Sequence, residues 1–116
     1  MLLADYQKYC MSFNGVTEEF PFDDVTLVYK VKGKIFSLCN IEEFKSVSLK
    51  CDPDDAMAQR EAFKAVIPGY HLNKKHWNTI KLGEDVDDDR LREWTADSWE
   101  LAARGLPKKV RQELGF

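Results

Sequence analysis

The sequence of 116 residues lacks the features that mark a membrane protein or a secreted one. No stretch approaches the roughly 18 consecutive apolar residues of a membrane span. The first residues, MLLADYQKYCMSF, lack a basic leader followed by a continuous apolar core. Cys10, Cys39 and Cys51 are odd in number and widely spaced, without a CxxC pair, which fits reduced, buried thiols better than a disulfide framework or a zinc site. We therefore expect a cytoplasmic protein that is not bound to a membrane.

Sequence signatures of catalysis are also missing. The chain has no Gly-rich phosphate loop, no nucleophile elbow and no paired-carboxylate motif. His71 and His76 stand five positions apart, which is neither the spacing of two zinc ligands on a helix nor that of neighbours on one strand face. The sequence therefore predicts a protein that is not an enzyme and that uses no cofactor or metal ion.

Positive charge is in deficit. Seventeen basic side chains stand against twenty acidic ones, which gives a net charge of −3. The overall field of such a protein does not favour binding to a phosphate backbone, so any binding of that kind must come from a local patch. Lysines cluster within residues 30–34 and 74–81, whereas acidic residues concentrate within 18–24 and 84–89.

The length and composition predict one compact domain. A chain of this size buries about two-thirds of the surface that its unfolded form exposes. Hydrophobic residues make up 44% and charged residues 32%, as in an ordinary globular protein. We expect a single domain over residues 1–116, without linker or repeat, and a monomer.

The hydrophobic pattern of the first half predicts a helix followed by three strands. Residues 2–13 place apolar side chains at three-to-four spacing, and Gly15 ends the predicted helix. The stretch VTLVYKVKGKIFSLCNI predicts two strands joined by a turn at Lys32 and Gly33. SVSLKC, residues 46–51, alternates cleanly and predicts a half-buried strand.

The second half predicts a helix, one or two strands, and two further helices. In DPDDAMAQREAFKAV, Asp52 can cap a helix whose first position is Pro53. HWNTIKL, residues 76–82, predicts a strand. The acidic run EDVDDD opens a longer helix that Gly105 ends, and a short helix starts at Pro107.

This order of elements predicts an α+β fold. Strands joined by short turns pair antiparallel, so we expect an antiparallel sheet with helices packed on one face. The other face would stay partly open, and a functional surface would most easily lie there.

Five stretches of the chain resemble, in order and spacing, the signature blocks of the MmcQ/YjbR family. They are YCMSFNGVTEEFPF, TLVYKVKGKIFSL, VSLKCDP, IPGYHLNKKHWNTI and LPKKVRQEL. The resemblance implies a compact α+β domain, likened both to frataxin and to a double-wing DNA-binding motif. Members are commonly labelled DNA-binding, largely because of that shape, and the family supplies no catalytic residue that could be carried over.

The segment HLNKKHW has two interpretations. In the first, it is a polar loop that presents Asn73, Lys74 and Lys75, flanked by His71 and His76, to a phosphate or another anion. In the second, the asparagine stabilises a turn, the tryptophan anchors the next strand, and the lysines are solvated.

Two further stretches also allow more than one interpretation. The acidic run of residues 84–89 could hold a cation, but favourable interaction with a helix dipole explains most of it. Phe20 and Phe22 could form an exposed patch for stacking bases, but we expect them to fill the space between the first helix and the sheet, since Phe is usually buried.

The function predicted from these patterns and from the resemblance is DNA binding by a small cytoplasmic protein. A basic hairpin, projecting like a wing, and the HLNKKHW loop would make the contacts. The expected contact residues are Lys30, Lys32, Lys34, His71, Asn73, Lys74, Lys75 and His76. The alternative is a protein-interaction or small-ligand module that uses the open sheet face and the tryptophans and binds no DNA. In that case the hairpin lysines would only guard a sheet edge against aggregation.

Overall fold

The computed structural model describes residues 1–69 and 72–116, which form an α+β fold as predicted. The helices within these residues are α1 (Leu3–Met11), α2 (Pro53–Ala62), α3 (Asp88–Arg104) and α4 (Lys108–Glu113). The strands are β1 (Val16–Glu19), β2 (Thr26–Val31), β3 (Lys34–Asn40), β4 (Ser46–Lys50), β5 (Val66–Pro68) and β6 (Trp77–Lys81). No helix among the described residues is long and apolar enough to span a membrane.

The strands form one antiparallel sheet in the order β1-β2-β3-β4-β6-β5. Helices cover one face of it, as predicted, and the alternation in β4 shows which side they cover. Val47 and Leu49 are buried against the helices, whereas Ser46, Ser48 and Lys50 face the other way and are half-buried. The second face is therefore open, and the outermost strands are only four residues (β1) and three residues (β5) long.

Strand β1 was not predicted from the sequence. It lies between the predicted first helix and the first predicted strand, and it pairs with the second half of β2, with Val16 opposite Val31. Val16 is its single apolar residue, so the strand carries no alternating pattern of its own. Its conformation depends on pairing with β2 and on Gly15, whose φ of +72° turns the chain and whose carbonyl accepts the Lys32 amide.

The longest helix, α3, joins the helical layer to the sheet. Ser98 lies on its buried stripe and donates a hydrogen bond to the carbonyl of Phe36 (2.6 Å) while accepting one from the amide of Lys50 (2.8 Å). Leu91 is also buried, and Trp94 packs against the core from its rim. Ser98 thus connects α3 to both β3 and β4.

The predicted helix ends are confirmed where the signal is local. Asp52 caps α2 by accepting the amide of Asp54, with Pro53 as the first helical residue. Asp87 caps α3 through the amide of Arg90, and α3 ends at Gly105. Each cap satisfies a backbone group that the helix itself leaves without a partner.

The expected burial of the EEFPF aromatics is wrong. Phe20 and Phe22 are 48% and 64% exposed, in the loop between β1 and β2. The space under α1 is already filled by Tyr6, which is fully buried and packs against Tyr29 and Phe44. The two phenyl rings therefore remain at the surface.

Candidate nucleic-acid interface

The strand register brings the hairpin lysines to the same end of the sheet as Lys74 and Lys75, whereas Lys81, which pairs with Ser46, lies at the opposite end. The turn between β2 and β3 lies at the end where β4 finishes, and Trp77 at the start of β6 pairs with Lys50 at the end of β4. The last turn of α3 also reaches this end, because Lys34 contacts Gly105. We call this region the basic end; its cations are Lys32, Lys34, Lys50, Lys74, Lys75, Arg104, Lys108 and Arg111.

The hairpin lysines do not project as a free wing, in contrast to our expectation. Lys34 donates a hydrogen bond to the carbonyl of Gly105 (3.0 Å), and Lys32 lies 3.8 Å from the Glu113 carboxylate. Lys30 lies further back in β2 and pairs with Glu19 on β1 (3.3 Å). The hairpin is therefore docked against the turn between α3 and α4. Its lysines form one surface with the basic residues around that turn.

Helix α4 contributes to this surface, and sequence reasoning did not assign it a role. Arg104, Lys108 and Arg111 line a cavity of about 230 Å³ together with Gln112 and Phe116. Arg111 donates to the carbonyl of Arg104 (3.2 Å), and the guanidinium of Arg104 lies 5.3 Å from the centre of the Phe116 ring. The basic spacing of LPKKVRQEL could have indicated these residues, but their approach to the hairpin depends on the tertiary fold.

The HLNKKHW loop has the polar turn that its second interpretation requires. The Asn73 side chain accepts the amide of Lys75 (2.9 Å), and the Asn73 carbonyl accepts the amide of His76 (3.1 Å). Arg60 on α2 donates to the carbonyl of Lys74. Asn73 is thus a turn residue, while the side chains of Lys74, Lys75 and His76 are exposed. His71 lies outside the described residues.

Several cations of the basic end are free to meet a ligand. Lys32 and Arg104 are paired with Glu113 and Glu100. Within residues 1–69 and 72–116, no acidic partner lies within 4.0 Å of Lys50, Lys74, Lys75 or Lys108. Exposed ion pairs contribute little energy, so the paired cations also remain exchangeable with phosphate.

The acidic run of residues 84–89, at the opposite end of the sheet, stabilises the fold through hydrogen bonds and an ion pair. Asp85 accepts the amides of Ala65 and Lys64, both at 2.8 Å, and these bonds lower the pKa of its carboxyl group. Asp87 caps α3, and Asp88 lies 3.3 Å from the amino terminus of Met1. The described part of the chain holds no cluster of three or more His, Cys, Asp or Glu side chains arranged to bind a metal ion.

The cysteines are in environments that suppress thiol chemistry. Burial raises the pKa of Cys10 and of Cys39 to about 12. The pKa of Cys51 rises to about 11, first because of burial and then because of the carboxylates of Asp55 and Asp52. All three are free thiols. The thiolate fraction at neutral pH is therefore small, and a nucleophilic role gains no support.

The open face of the sheet holds a groove of about 480 Å³ that sequence analysis did not resolve. The exposed ring of Phe22 and the side chain of Leu72 form its walls, and Leu38 lies on its floor. Polar side chains from β2, β3, β4 and β6 complete the floor. The lining residues are Phe22, Asp23, Thr26, Leu38, Cys39, Asn40, Ser46, Ser48, Leu72 and Thr79. The tryptophans that we associated with this face do not line the groove, and Trp94 and Trp99 pack against the core instead.

Fold and surface together define a small α+β domain with a single antiparallel sheet, one face of which is open. Residues 11–101 match the profile of the YjbR family, so this chain belongs to that family. The resemblance noted in the sequence is thereby confirmed.

Two relatives and two solved structures are similar to the chain. The uncharacterized protein YbdF from Escherichia coli is 36% identical to this chain, over 82% of this chain and 79% of YbdF. The uncharacterized protein YjbR, also from Escherichia coli, is 30% identical, over 98% of each chain. The crystal structure of Deinococcus radiodurans protein DR2400, a DUF419 domain, superposes with a TM-score of 0.91 at 38% identity, over 98% of this chain and 88% of that one. A structure from Pseudomonas syringae shares the fold at 20% identity, with a TM-score of 0.73 over 88% of this chain and 99% of that one.

Proposed function

We propose that this protein is a cytoplasmic, non-catalytic module that binds nucleic acid, DNA in the first place, through its basic end. The observation that carries the proposal is the docking of the hairpin against the turn between α3 and α4. Lys34 contacts Gly105 at the end of α3 and Lys32 contacts Glu113 on α4, although the hairpin and these helices are far apart in sequence. A protein with a net charge of −3 needs a local basic patch of this kind in order to bind a phosphate backbone.

The proposed contacts are to phosphate rather than to base edges. Lys74, Lys75 and Lys108 are exposed cations without an acidic partner in the described structure, and each offers a point charge with three donors. Lys32, Lys34, Arg104 and Arg111 add charge at the same end, and His76 lies beside Lys75. Asn73 supports the loop instead of meeting the ligand. Contacts of this type position a protein on nucleic acid and carry little sequence information.

The test is fluorescence anisotropy of a labelled DNA duplex, titrated with protein at low and at physiological salt. We compare the wild type with Lys74→Glu/Lys75→Glu and with Lys108→Glu/Lys109→Glu. Both pairs are exposed, and acidic residues in the first turn of α4 suit the helix dipole, so folding should be retained. We expect each double variant to weaken binding by about ten-fold or more and to reduce its salt dependence.

The matched control is Lys8→Glu/Lys64→Glu, which makes the same change of charge at exposed positions outside the basic end. It should bind nearly as well as the wild type, because only the net charge has changed. Equal losses in all three double variants would mean that no local surface is involved. Absence of binding at low salt would refute the proposal.

A second candidate is a protein-interaction or small-ligand role for the open face, which the groove beside Phe22 supports. Binding to such a site would respond weakly to salt, because it would depend on apolar contact rather than on counterion release. Variants of the basic end would then leave binding unchanged.

A further inference from the structure

The groove on the open sheet face combines one exposed aromatic wall with a floor of polar side chains around Leu38. Phe22 is 64% exposed and forms the wall, with Leu72 as the other apolar lining residue outside the strands. Below them, the hydroxyl groups of Ser48 and Thr79 are hydrogen-bonded across β4 and β6 at 2.8 Å. A volume of about 480 Å³ is large enough for a small planar ring system with its substituents.

The polar groups of the groove favour a neutral ring that can accept a hydrogen bond. The Asp23 carboxylate already accepts the amides of Val25 and Thr26 and the Thr26 hydroxyl, so most of its hydrogen-bonding capacity is used within its own loop. The side-chain oxygen of Asn40 accepts the amides of Glu42 and Glu43. This fixes the orientation of Asn40, and within the described residues its amide nitrogen has no partner and remains available as a donor.

Lysines stand at both ends of this polar floor. Ser46, Ser48 and Lys50 are alternate residues of β4, so their side chains share the open face at intervals of about 7 Å. Lys81 pairs directly with Ser46 and lies on the same face, where it forms an exposed ion pair with Glu84. Lys50 also belongs to the basic end, so the open face continues the proposed phosphate-binding surface toward Phe22.

From this arrangement we infer that the groove holds one unpaired base of a single-stranded nucleic acid. The base stacks on Phe22 above the polar floor, and the adjoining phosphates lie near Lys50 and Lys81. A paired base in a duplex has both faces covered by its neighbours and cannot stack on a side chain in this way, whereas an unpaired base can. The inference rests on the proposed function and narrows it to single strands.

The test compares three labelled ligands of one sequence: single-stranded DNA, single-stranded RNA and the DNA duplex. Each is titrated with wild type, Phe22→Ala, Phe22→Trp and the control Phe20→Ala, which removes an exposed ring of the same loop outside the groove lining. We expect the wild type to bind a single strand more tightly than the duplex. Phe22→Ala should weaken single-strand binding about ten-fold and leave duplex binding unchanged, and Phe20→Ala should change neither.

Phe22→Trp supplies a readout that does not depend on affinity. An indole at this position retains a stacking face, so it should preserve binding, and its added fluorescence should be quenched when a base stacks on it. Melting temperatures near that of the wild type would exclude misfolding, since residue 22 is at the surface. The dissociation constants for single-stranded RNA and single-stranded DNA identify which single strand is preferred.

Two results would overturn the inference while leaving the proposed function intact. One is equal affinity for single strand and duplex; the other is an identical effect of Phe22→Ala and Phe20→Ala. Either result would mean that the groove does not bind a base. The alternative ligands would then be a protein or a small molecule. Failure of all three nucleic acids to bind at low salt would instead refute both proposals together.

Discussion

Single side chains join the helical layer to the sheet through buried hydrogen bonds. The Tyr6 hydroxyl lies between Ser37 on β3 (2.7 Å) and Thr95 on α3 (3.2 Å), and all three residues are fully buried. Asn78 on β6 donates from its amide nitrogen to the carbonyl of Ala56 on α2 (3.1 Å). Within the described part of the chain, no buried side-chain nitrogen or oxygen lacks a partner. Paired in this way, these groups fix how the helices sit on the sheet.

Replacing Tyr6 by Phe should therefore lower the free energy of unfolding by about 1–2 kcal/mol. The change removes one hydroxyl and leaves those of Ser37 and Thr95 with fewer partners in a buried site. Tyr9→Phe is the matched control, because the Tyr9 hydroxyl donates to the carbonyl of Arg92 in a half-buried position that water can reach. Urea unfolding of the two variants measures the difference. Equal losses would show that the buried network adds no stability beyond a single surface bond.

At the scale of elements, the sequence predicted those whose signals are local. Alternation located β2, β3 and β4, and Asp52 with Pro53 located the start of α2. It could not predict β1, because a strand with one apolar residue acquires its conformation by pairing with β2. Exposure of Phe22 was missed for a similar reason, since its burial depends on how much space the neighbouring elements leave. The docking of the hairpin on the α3–α4 turn is likewise a tertiary contact without a local signature.

Asp85 connects two elements, and its removal should have an effect that depends on pH. Its carboxylate accepts the amides of Ala65 and Lys64, which ties the segment after α2 to the segment before α3. These bonds lower the folded-state pKa below the usual 3.8. The stabilisation is therefore present above about pH 4, and it is lost as the pH falls through the folded pKa.

We expect Asp85→Ala to have a lower urea midpoint than the wild type at pH 7, and the gap to narrow below pH 4. Asp24→Ala is the control, because Asp24 makes no hydrogen bond or ion pair in the described structure. It should shift the midpoint little at either pH. A gap for Asp85→Ala that stays constant from pH 7 to pH 3 would contradict the assigned role of the carboxylate.

At the scale of the whole molecule, charge is partly separated although the net value is small, and the acidic start of α2, with Asp52 and Asp55, lies beside Lys50. Cations gather where α3 ends and α4 follows, and acidic residues gather where α3 begins. The sequence showed the separate basic and acidic clusters, but the end of the molecule at which each cluster lies depends on the tertiary fold. The protein can therefore present a positive surface to a polyanion while its opposite end repels one.

Folding of the whole molecule should protect its three thiols from reaction with reagents in solution. With the pKa of Cys10 and Cys39 near 12 and that of Cys51 near 11, reaction with a disulfide reagent at pH 8 should be slow in the native state. Cys51 should react first, because it is the least buried, and Cys51→Ser should remove that phase. All three thiols should react rapidly in concentrated urea. Rapid labelling of Cys10 or Cys39 in native protein would show that the core opens more readily than its packing indicates.

The brevity of the outer strands limits how copies of this protein could join. A strand from a neighbouring molecule would find four residues of backbone along β1 and three along β5, and Pro68 at the end of β5 has no amide hydrogen to donate. Extension of the sheet from one molecule to the next, which is the route to fibres, would thus gain few backbone hydrogen bonds. Association between copies would therefore depend mainly on side-chain contacts rather than on backbone pairing.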